Sequence, residues 1–320
     1  MSTATAAAAS TSLSSAARRR SSPACRIPAP RRGSLLRRPL ASSSRPLLRP
    51  VSAMASPGVD GEAVASRKKL LIFDAEEALA ASLAEYTAGL SEKATAAERG
   101  AFTVVLSGGS LIKALRKLAE PPYLEAVDWS RWHVFWADER VVPKDHTDSN
   151  YKLAMDGLLS KVPIPANQVY AMNDTLSVEG AADDYETCLK QLIKDGVIAV
   201  SPVTGFPKFD LILLGMGPDG HIASLFPGHP IVHENQKLVT YVKDSPKPPP
   251  ERITFTFPVI NSSAHIGLVV TGAGKAGAVH KALSGDQKSL DLLPVEMIEP
   301  QDGEVTWFTD KPAVSMLSKI

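Results

Sequence analysis

The chain has 320 residues, 44% of them hydrophobic, which is the content of a water-soluble globular protein long enough for one large domain or two small ones. No apolar run approaches the ~18 residues of a membrane span, and two distant cysteines, Cys25 and Cys188, form neither a disulfide framework nor a C-x-x-C metal pair. The net charge of +1 hides an asymmetry: residues 1–59 hold ten Arg and no Asp or Glu, so the remainder has 25 basic against 34 acidic side chains, near −9, which argues against a nucleic-acid binder.

The Arg- and Ser-rich, acid-free start reads as an organelle transit peptide, and its Ser, Ala and Pro content points to a plastid. A basic tail touching nucleic acid or membrane is the alternative. The expected division is a transit peptide over 1–53, a linker over 54–67 and one globular domain over 68–320. Met54 offers an internal start that would leave a cytosolic form.

Lys69 to Phe73 reads as a first strand. Leu79, Leu83, Tyr86 and Leu90 recur at helical spacing, which predicts a helix from about Ala75 to Ala97. Thr103 to Leu106 is a second strand. It ends in Ser107-Gly108-Gly109-Ser110 and opens a helix to about Leu118. Strand, glycine turn and helix start form a phosphate cradle by geometry, because the first N–H groups of a helix have no intrahelical partner. An ordinary tight turn would look the same.

Trp132 to Trp136 is a third strand, running into Asp138-Glu139-Arg140. Charges at a strand end must pair or bind something. Arg140 is the candidate for an anion and Asp138 for the chemistry; a surface salt-bridge cluster is the alternative. Ser149 or Asp148 caps a helix from Asn150 to Leu159. A short strand over Asn167–Ala171 and an amphipathic helix over Val178–Lys194 follow, with Cys188 a buried helix residue.

Leu211 to Leu214 is apolar without alternation, as suits a strand buried on both faces of a parallel sheet. It leads into Gly215, Gly217, Gly220 and His221, with a short helix expected from His221 to Phe226 before Pro227 and Gly228 stop it. The six residues from Gly215 spell G-x-G-x-x-G, but the long helix and the later strand ending in an acid that a dinucleotide site needs are missing. His221 could hold an anion or act as a base near neutral pH. His221, His229 and His233 are separated by prolines and a glycine with no supporting Cys or Glu, so no metal site is expected.

Leu238 to Val242 is a strand, and Ser245 to Glu251 a Pro/Lys-rich loop. Arg252 to Phe257 alternates, as an edge or half-exposed strand would. His265 to Val270 is a buried strand followed by Gly272, Gly274 and Lys275 and a helix to about Leu283. Val305–Phe308 and Lys311–Ser318 complete the chain as strand and helix. Alternating elements predict an α/β fold, a mostly parallel doubly wound sheet flanked by helices. Ligands in such sheets bind outside the carboxyl ends of the strands. Ser107–Ser110, Asp138–Arg140, Gly215–His221 and Gly274–Lys275 each follow a strand, so they can share one site.

These loops resemble the family of 6-phosphogluconolactonases and glucosamine-6-phosphate isomerases. The resemblance is carried by LSGGS at 106–110, WADERVVPKDHTDSNY at 136–151, GMGPDGHIASLFPG at 215–228, RITFTFPVIN at 252–261 and TGAGKA at 271–276. It spans about residue 68 to the end. It implies a modified doubly wound sheet, hydrolysis of a sugar-phosphate lactone in the oxidative pentose phosphate pathway, and no cofactor. It also implies His221 as the base, with Arg252 and Lys275, read alone as two solvated charges, as phosphate ligands beside Ser107–Ser110 and Arg140. Asp138 would orient water, His221 or a sugar hydroxyl. Deaminase-like relatives need a Glu shortly after the Gly-His segment; here 223–227 has no acid. An amino-sugar-phosphate isomerase and a non-catalytic sugar-phosphate-binding module remain the alternatives. The partner expected is a small sugar-phosphate lactone, with no nucleic acid or membrane; the sequence is silent on oligomeric state.

Overall fold

A computed structural model describes residues 68–284 and 291–317. The expected transit peptide and linker lie outside the described residues. Among the described residues the strands are β1 (Lys68–Phe73), β2 (Phe102–Leu106), β3 (Trp132–Trp136), β4 (Asp138–Arg140), β5 (Ala199–Val200), β6 (Pro207–Lys208), β7 (Leu211–Gly215), β8 (Val239–Val242), β9 (Arg252–Phe255), β10 (His265–Val270) and β11 (Glu304–Asp310). The α-helices among the described residues are α1 (Glu76–Ala96), α2 (Ser110–Ala114), α3 (Tyr123–Ala126), α4 (Asn150–Gly157), α5 (Val178–Lys194), α6 (Phe257–Ile260) and α7 (Ala276–Leu283).

Six strands build a wholly parallel sheet in the order β1-β11-β10-β7-β2-β3. Alternate side chains point to opposite faces of a strand, and this divides the core in two. Val104, Leu106, Leu211 and Leu213 pack with Leu79 and Leu83 of α1 and with Leu111. Val105, Ile212, Leu214, Ile266 and Leu268 face the other way, against Tyr185 and Leu189 of α5. A strand covered on both faces disfavours polar groups that lack a partner, which is why β7 reads LILL. This is the α/β architecture the sequence predicts.

Three expectations are corrected. Arg252 to Phe257 is not an edge strand: β9 is the middle of a separate antiparallel sheet, β4-β9-β8, and all four of its residues are buried. Its alternation arises because polar Arg252 and Thr254 face a polar site rather than solvent. Residues 221–226 form no helix. Leu225 N–H donates to Ile222 O at 2.9 Å, and Ala223 takes a left-handed φ of 46°, which interrupts any helical run. The chain after β11 runs through turns, not a helix, over 311–317. Smaller differences follow the same logic. The helix after Ser110 tightens to 3-10 geometry at Leu115–Ala119, and the strand expected over Asn167–Ala171 is reduced to a 3-10 turn at Ala166–Gln168 and an isolated parallel bridge from Val169 to Val134 of β3.

Candidate active site

The carboxyl ends of β2, β7 and β10 meet the small antiparallel sheet around a cavity of about 210 Å³. Ser107, Gly108, Gly109, Ser110, Asp138, Arg140, His221, Arg252 and Lys275 all line it, so the structure brings these nine candidates to one place. Asn150, Met216, Pro218 and Ala223 line it as well.

At the end of β7 the backbone doubles back: Gly217 N–H donates to His221 O at 2.8 Å, and Gly220 N–H to Gly217 O at 3.0 Å. The turn sets Asp219 beside His221, with Oδ1 2.6 Å from Nδ1. A Cβ at position 217 would lie 2.0 Å from that Nδ1 and 2.5 Å from the carboxylate oxygen, so only glycine permits the pair. Lys247, from the loop before β9, brings Nζ to 3.0 Å from both Asp219 Oδ1 and His221 Nδ1. Burial lowers the His221 pKa, an effect the Asp219 carboxylate partly reverses and Lys247 reinforces. Burial pushes Asp219 up, but the hydrogen bonds to His221 and Lys247 outweigh it and hold the carboxyl at about 2. A neutral imidazole that donates Nδ1–H to an ionised carboxylate keeps a lone pair on Nε2, the state a general base requires.

On the opposite wall Asp138 and Glu139 are each 4% exposed, which removes the surface salt-bridge reading. Asp138 accepts a hydrogen bond from Ser224 Oγ at 2.8 Å and lies 3.4 Å from Asn150 Nδ2. The left-handed Ala223 aims Ser224 at this carboxylate. Glu139 points away from the cavity and accepts from the N–H groups of Arg140, Asn150 and Tyr151 at 2.8, 2.7 and 2.7 Å. It thus satisfies the free donors at the start of α4, together with the Ser149 hydroxyl that accepts from Lys152 N–H. Burial raises its pKa to about 7 against the pull of those donors. Asn150, fixed in this way, packs over the glycine loop: a Cβ on Gly108 would lie 1.9 Å from its Oδ1.

Positive charge surrounds the rest. Arg252 is 3% exposed and its guanidinium is largely engaged. Nε donates to Pro249 O at 3.0 Å, Nη2 to Lys247 O and Pro248 O at 2.9 Å each, and Nη1 reaches Ser224 Oγ at 3.4 Å. Arg140 Nη1 donates to Asp148 O at 2.7 Å, while its buried Nε and the buried Ser107 Oγ have no protein partner. Lys275 is half-buried at the start of α7; burial, with Lys247 adding to it, lowers its pKa. Among the described residues no group of three or more His, Cys, Asp or Glu side chains is placed to hold a metal ion, and no helix is long and apolar enough to cross a membrane.

The sequence reading missed four contributors. Asp219 was hidden in the glycine loop, although its i, i+2 spacing to His221 across Gly220 was a usable signal. Ser224, Asn150 and Lys247 reach the site through loop and cap geometry that spacing does not reveal.

A doubly wound sheet with a histidine–carboxylate pair at a strand's carboxyl end, facing a basic cavity, defines an enzyme class that works on small anionic substrates. Residues 74–307 match the family model for glucosamine-6-phosphate isomerases/6-phosphogluconolactonase, and the chain belongs to that family. It is 73% identical over 304 residues to probable 6-phosphogluconolactonase 3, chloroplastic, of Oryza sativa subsp. indica, covering 93% of each chain. It is 60% identical over 269 residues to 6-phosphogluconolactonase 3, chloroplastic, of Arabidopsis thaliana, covering 84% of this chain and 80% of that one. Among solved structures, 6-phosphogluconolactonase from Thermotoga maritima superposes with a TM-score of 0.63 at 28% identity, covering 77% of this chain and all of that one.

Proposed function

We propose that the protein hydrolyses 6-phospho-D-glucono-1,5-lactone to 6-phosphogluconate, in the oxidative pentose phosphate pathway of the chloroplast. The observation that carries this reading is the Asp219–His221 pair at 2.6 Å in the wall of a basic cavity. Asp219 holds Nδ1–H, and Nε2 takes a proton from water as the water oxygen bonds to the lactone C1. The ring C1–O5 bond then breaks, and the imidazolium returns the proton to the departing O5. Ionisation of the new carboxylic acid releases one proton per turnover. Ser107 Oγ and the N–H groups of Gly108, Gly109 and Ser110 are the neutral donors for the substrate. Lys275, Arg140 and the free part of the Arg252 guanidinium supply positive charge for the phosphate. Asp138, locked by Ser224 and Asn150, is an acceptor for a sugar hydroxyl.

An amino-sugar-phosphate isomerase needs a further carboxylate to open and reprotonate the sugar ring. The segment Ile222–Gly228 has none, and Ser224 stands there instead, bound to Asp138. Proton release on adding freshly made lactone, measured above the spontaneous background, tests the reading. Release at the background rate, or ammonia from glucosamine 6-phosphate, would overturn it.

The Arg-rich, acid-free 1–53 is the plastid address, 54–67 a linker and 68–320 the catalytic domain. A fluorescent fusion of residues 1–60 should enter plastids, and a secreted signal would reject the assignment. A cytosolic pool made from Met54 would appear with the full-length fusion and vanish on Met54→Leu.

A further inference from the structure

We propose that Lys247 is a positioning residue that sets the proton affinity of His221, making the imidazole a ready donor after it has served as a base. The proposal rests on the lactonase reading for its chemistry, but not for its geometry. Lys247 does not line the cavity; its ammonium reaches His221 from behind, on the Nδ1 side, 3.0 Å away and 3.0 Å from Asp219 Oδ1.

Its place is enforced. A lysine on a proline-rich loop would ordinarily lose little by swinging into solvent. Here the loop is tied down on both sides of Lys247. Ser245 Oγ donates to Lys247 O at 2.8 Å, Lys247 N–H donates to Ser245 Oγ at 3.3 Å, and Ser245 N–H donates to Pro250 O at 3.1 Å. The buried Arg252 holds the carbonyls of Lys247, Pro248 and Pro249 together. A guanidinium with that many bonds inside one loop is invested in where that loop stands.

The proton logic follows from the triangle. Asp219 Oδ1 faces two donors, the Lys247 ammonium and the His221 Nδ1–H. A carboxylate shared with Lys247 stabilises an imidazolium less than an unshared one. The groups facing His221 divide cleanly by sign. Asp219 and, from β4, Asp138 favour the protonated ring. Lys247 opposes it; the other cations of the site, Lys275 at the start of α7, Arg252 on β9 and Arg140 on β4, line the same cavity. Phe226, its ring centroid 4.9 Å from that of His221, keeps water from one side of the imidazole. Lactone hydrolysis asks one histidine to accept a proton and then release it to O5. Without Lys247 the Asp219–imidazolium pair would be a resting place, and the ring would be charged over more of the neutral pH range.

The experiment compares wild type, Lys247→Met and Lys247→Arg in the full chain. The acid limb of the kcat/KM profile for the lactone should move up by about one pH unit in Lys247→Met, the size a single close charge gives a partly buried group, and stay in place in Lys247→Arg. In parallel, the His221 imidazole is titrated by NMR, with Lys247→Gln as a second neutral variant should the Met variant fail to fold. Its pKa should rise in the neutral variants. An acid limb and an imidazole pKa that stay put, or move down, overturn the proposal, as does a kcat loss that is the same at every pH. The NMR titration needs no turnover. A wild type with no lactonase activity would therefore refute the functional reading while the imidazole shift still decides the role of Lys247.

Discussion

The two sheets approach the cavity with different chemistry. The parallel sheet contributes backbone: β2 and β7 run through the apolar Leu106 and Leu214 and then break into glycine loops that offer N–H groups and the Asp219–His221 turn. The small antiparallel sheet contributes buried charge, with Asp138, Glu139 and Arg252 inside the strands themselves and no more than 4% exposed. Burying a charge costs several kcal/mol unless its hydrogen bonds are satisfied. Every one of these three is bonded, to the α4 cap, to Ser224 and Asn150, or to three loop carbonyls. A site on the first sheet can therefore change by altering a loop. One on the second is a network that fails when any member is removed.

The largest effect should come from the turn on β7. His221→Asn keeps a polar side chain of similar reach but no base near neutral pH, so kcat should fall by about 10²–10⁴ with KM little changed. Steady-state rates above the spontaneous hydrolysis of the lactone check it. A kcat near wild type would move the base elsewhere in the cavity.

The sharpest test of the comparison sets Arg252 against Lys275, which the sequence treats as two equivalent phosphate ligands. Lys275 stands at the start of α7 and holds none of the loop carbonyls that Arg252 holds, so Lys275→Ala should raise KM with a smaller change in kcat. Arg252→Ala also releases the carbonyls of residues 247–249 and with them the ammonium beside His221. It should raise KM and cut kcat by roughly 10²-fold, the scale of misplacing a catalytic group by about 1 Å. A lactone lacking its phosphate separates the two roles: the Lys275→Ala defect should vanish and the kcat defect of Arg252→Ala persist. Equal behaviour on both substrates would mean that Arg252 is a phosphate ligand and no more.

A smaller loss is expected at the junction of the sheets. Gly108→Ala puts a Cβ 1.9 Å from Asn150 Oδ1 and must displace the side chain that touches Asp138. KM should rise by about tenfold, since roughly one well-placed hydrogen bond is lost. Gly108→Ala with Asn150→Ser, which removes the obstacle, should recover part of it.

What could be read in advance follows the same division. The parallel sheet was legible because a strand buried on both faces is mostly apolar, and because a glycine after such a strand marks a turn. That placed β2, β3, β7 and β10 to within a residue or so, and named the loops that meet at the cavity. The antiparallel sheet was misread because Arg252-Ile253-Thr254-Phe255 alternates, and alternation does not say whether the polar face meets water or a polar site. The His221–Phe226 segment was misread as a helix because its composition does not show that a left-handed Ala223 would turn Ser224 onto Asp138. Lys247 left no mark at all, since a lysine among prolines looks like any solvated loop, and the bonds from Ser245 and from Arg252, 5 residues away, that hold it in place cannot be read from spacing.

The smallest expected effect is on stability rather than rate, and it concerns Glu139. Both carboxylate oxygens accept from backbone N–H groups at the start of α4. In Glu139→Gln one oxygen becomes an NH₂ that cannot accept, leaving a buried donor against a donor, at a cost of about 1–3 kcal/mol. The pH dependence gives the prediction its edge. The folded-state pKa of Glu139 is raised by burial to about 7, above the value of 4.5 for a free side chain. A raised pKa means that the folded state binds the proton more tightly. Its contribution to stability is thus fully present below about pH 4.5 and is lost as pH rises through about 7. Gln cannot titrate, so the difference in Tm between wild type and Glu139→Gln should be greatest near pH 5 and narrow towards pH 8. Thermal unfolding across that window decides it. A gap that widens with pH would mean that the three backbone donors win over burial, and that Glu139 caps α4 as a fully ionised carboxylate.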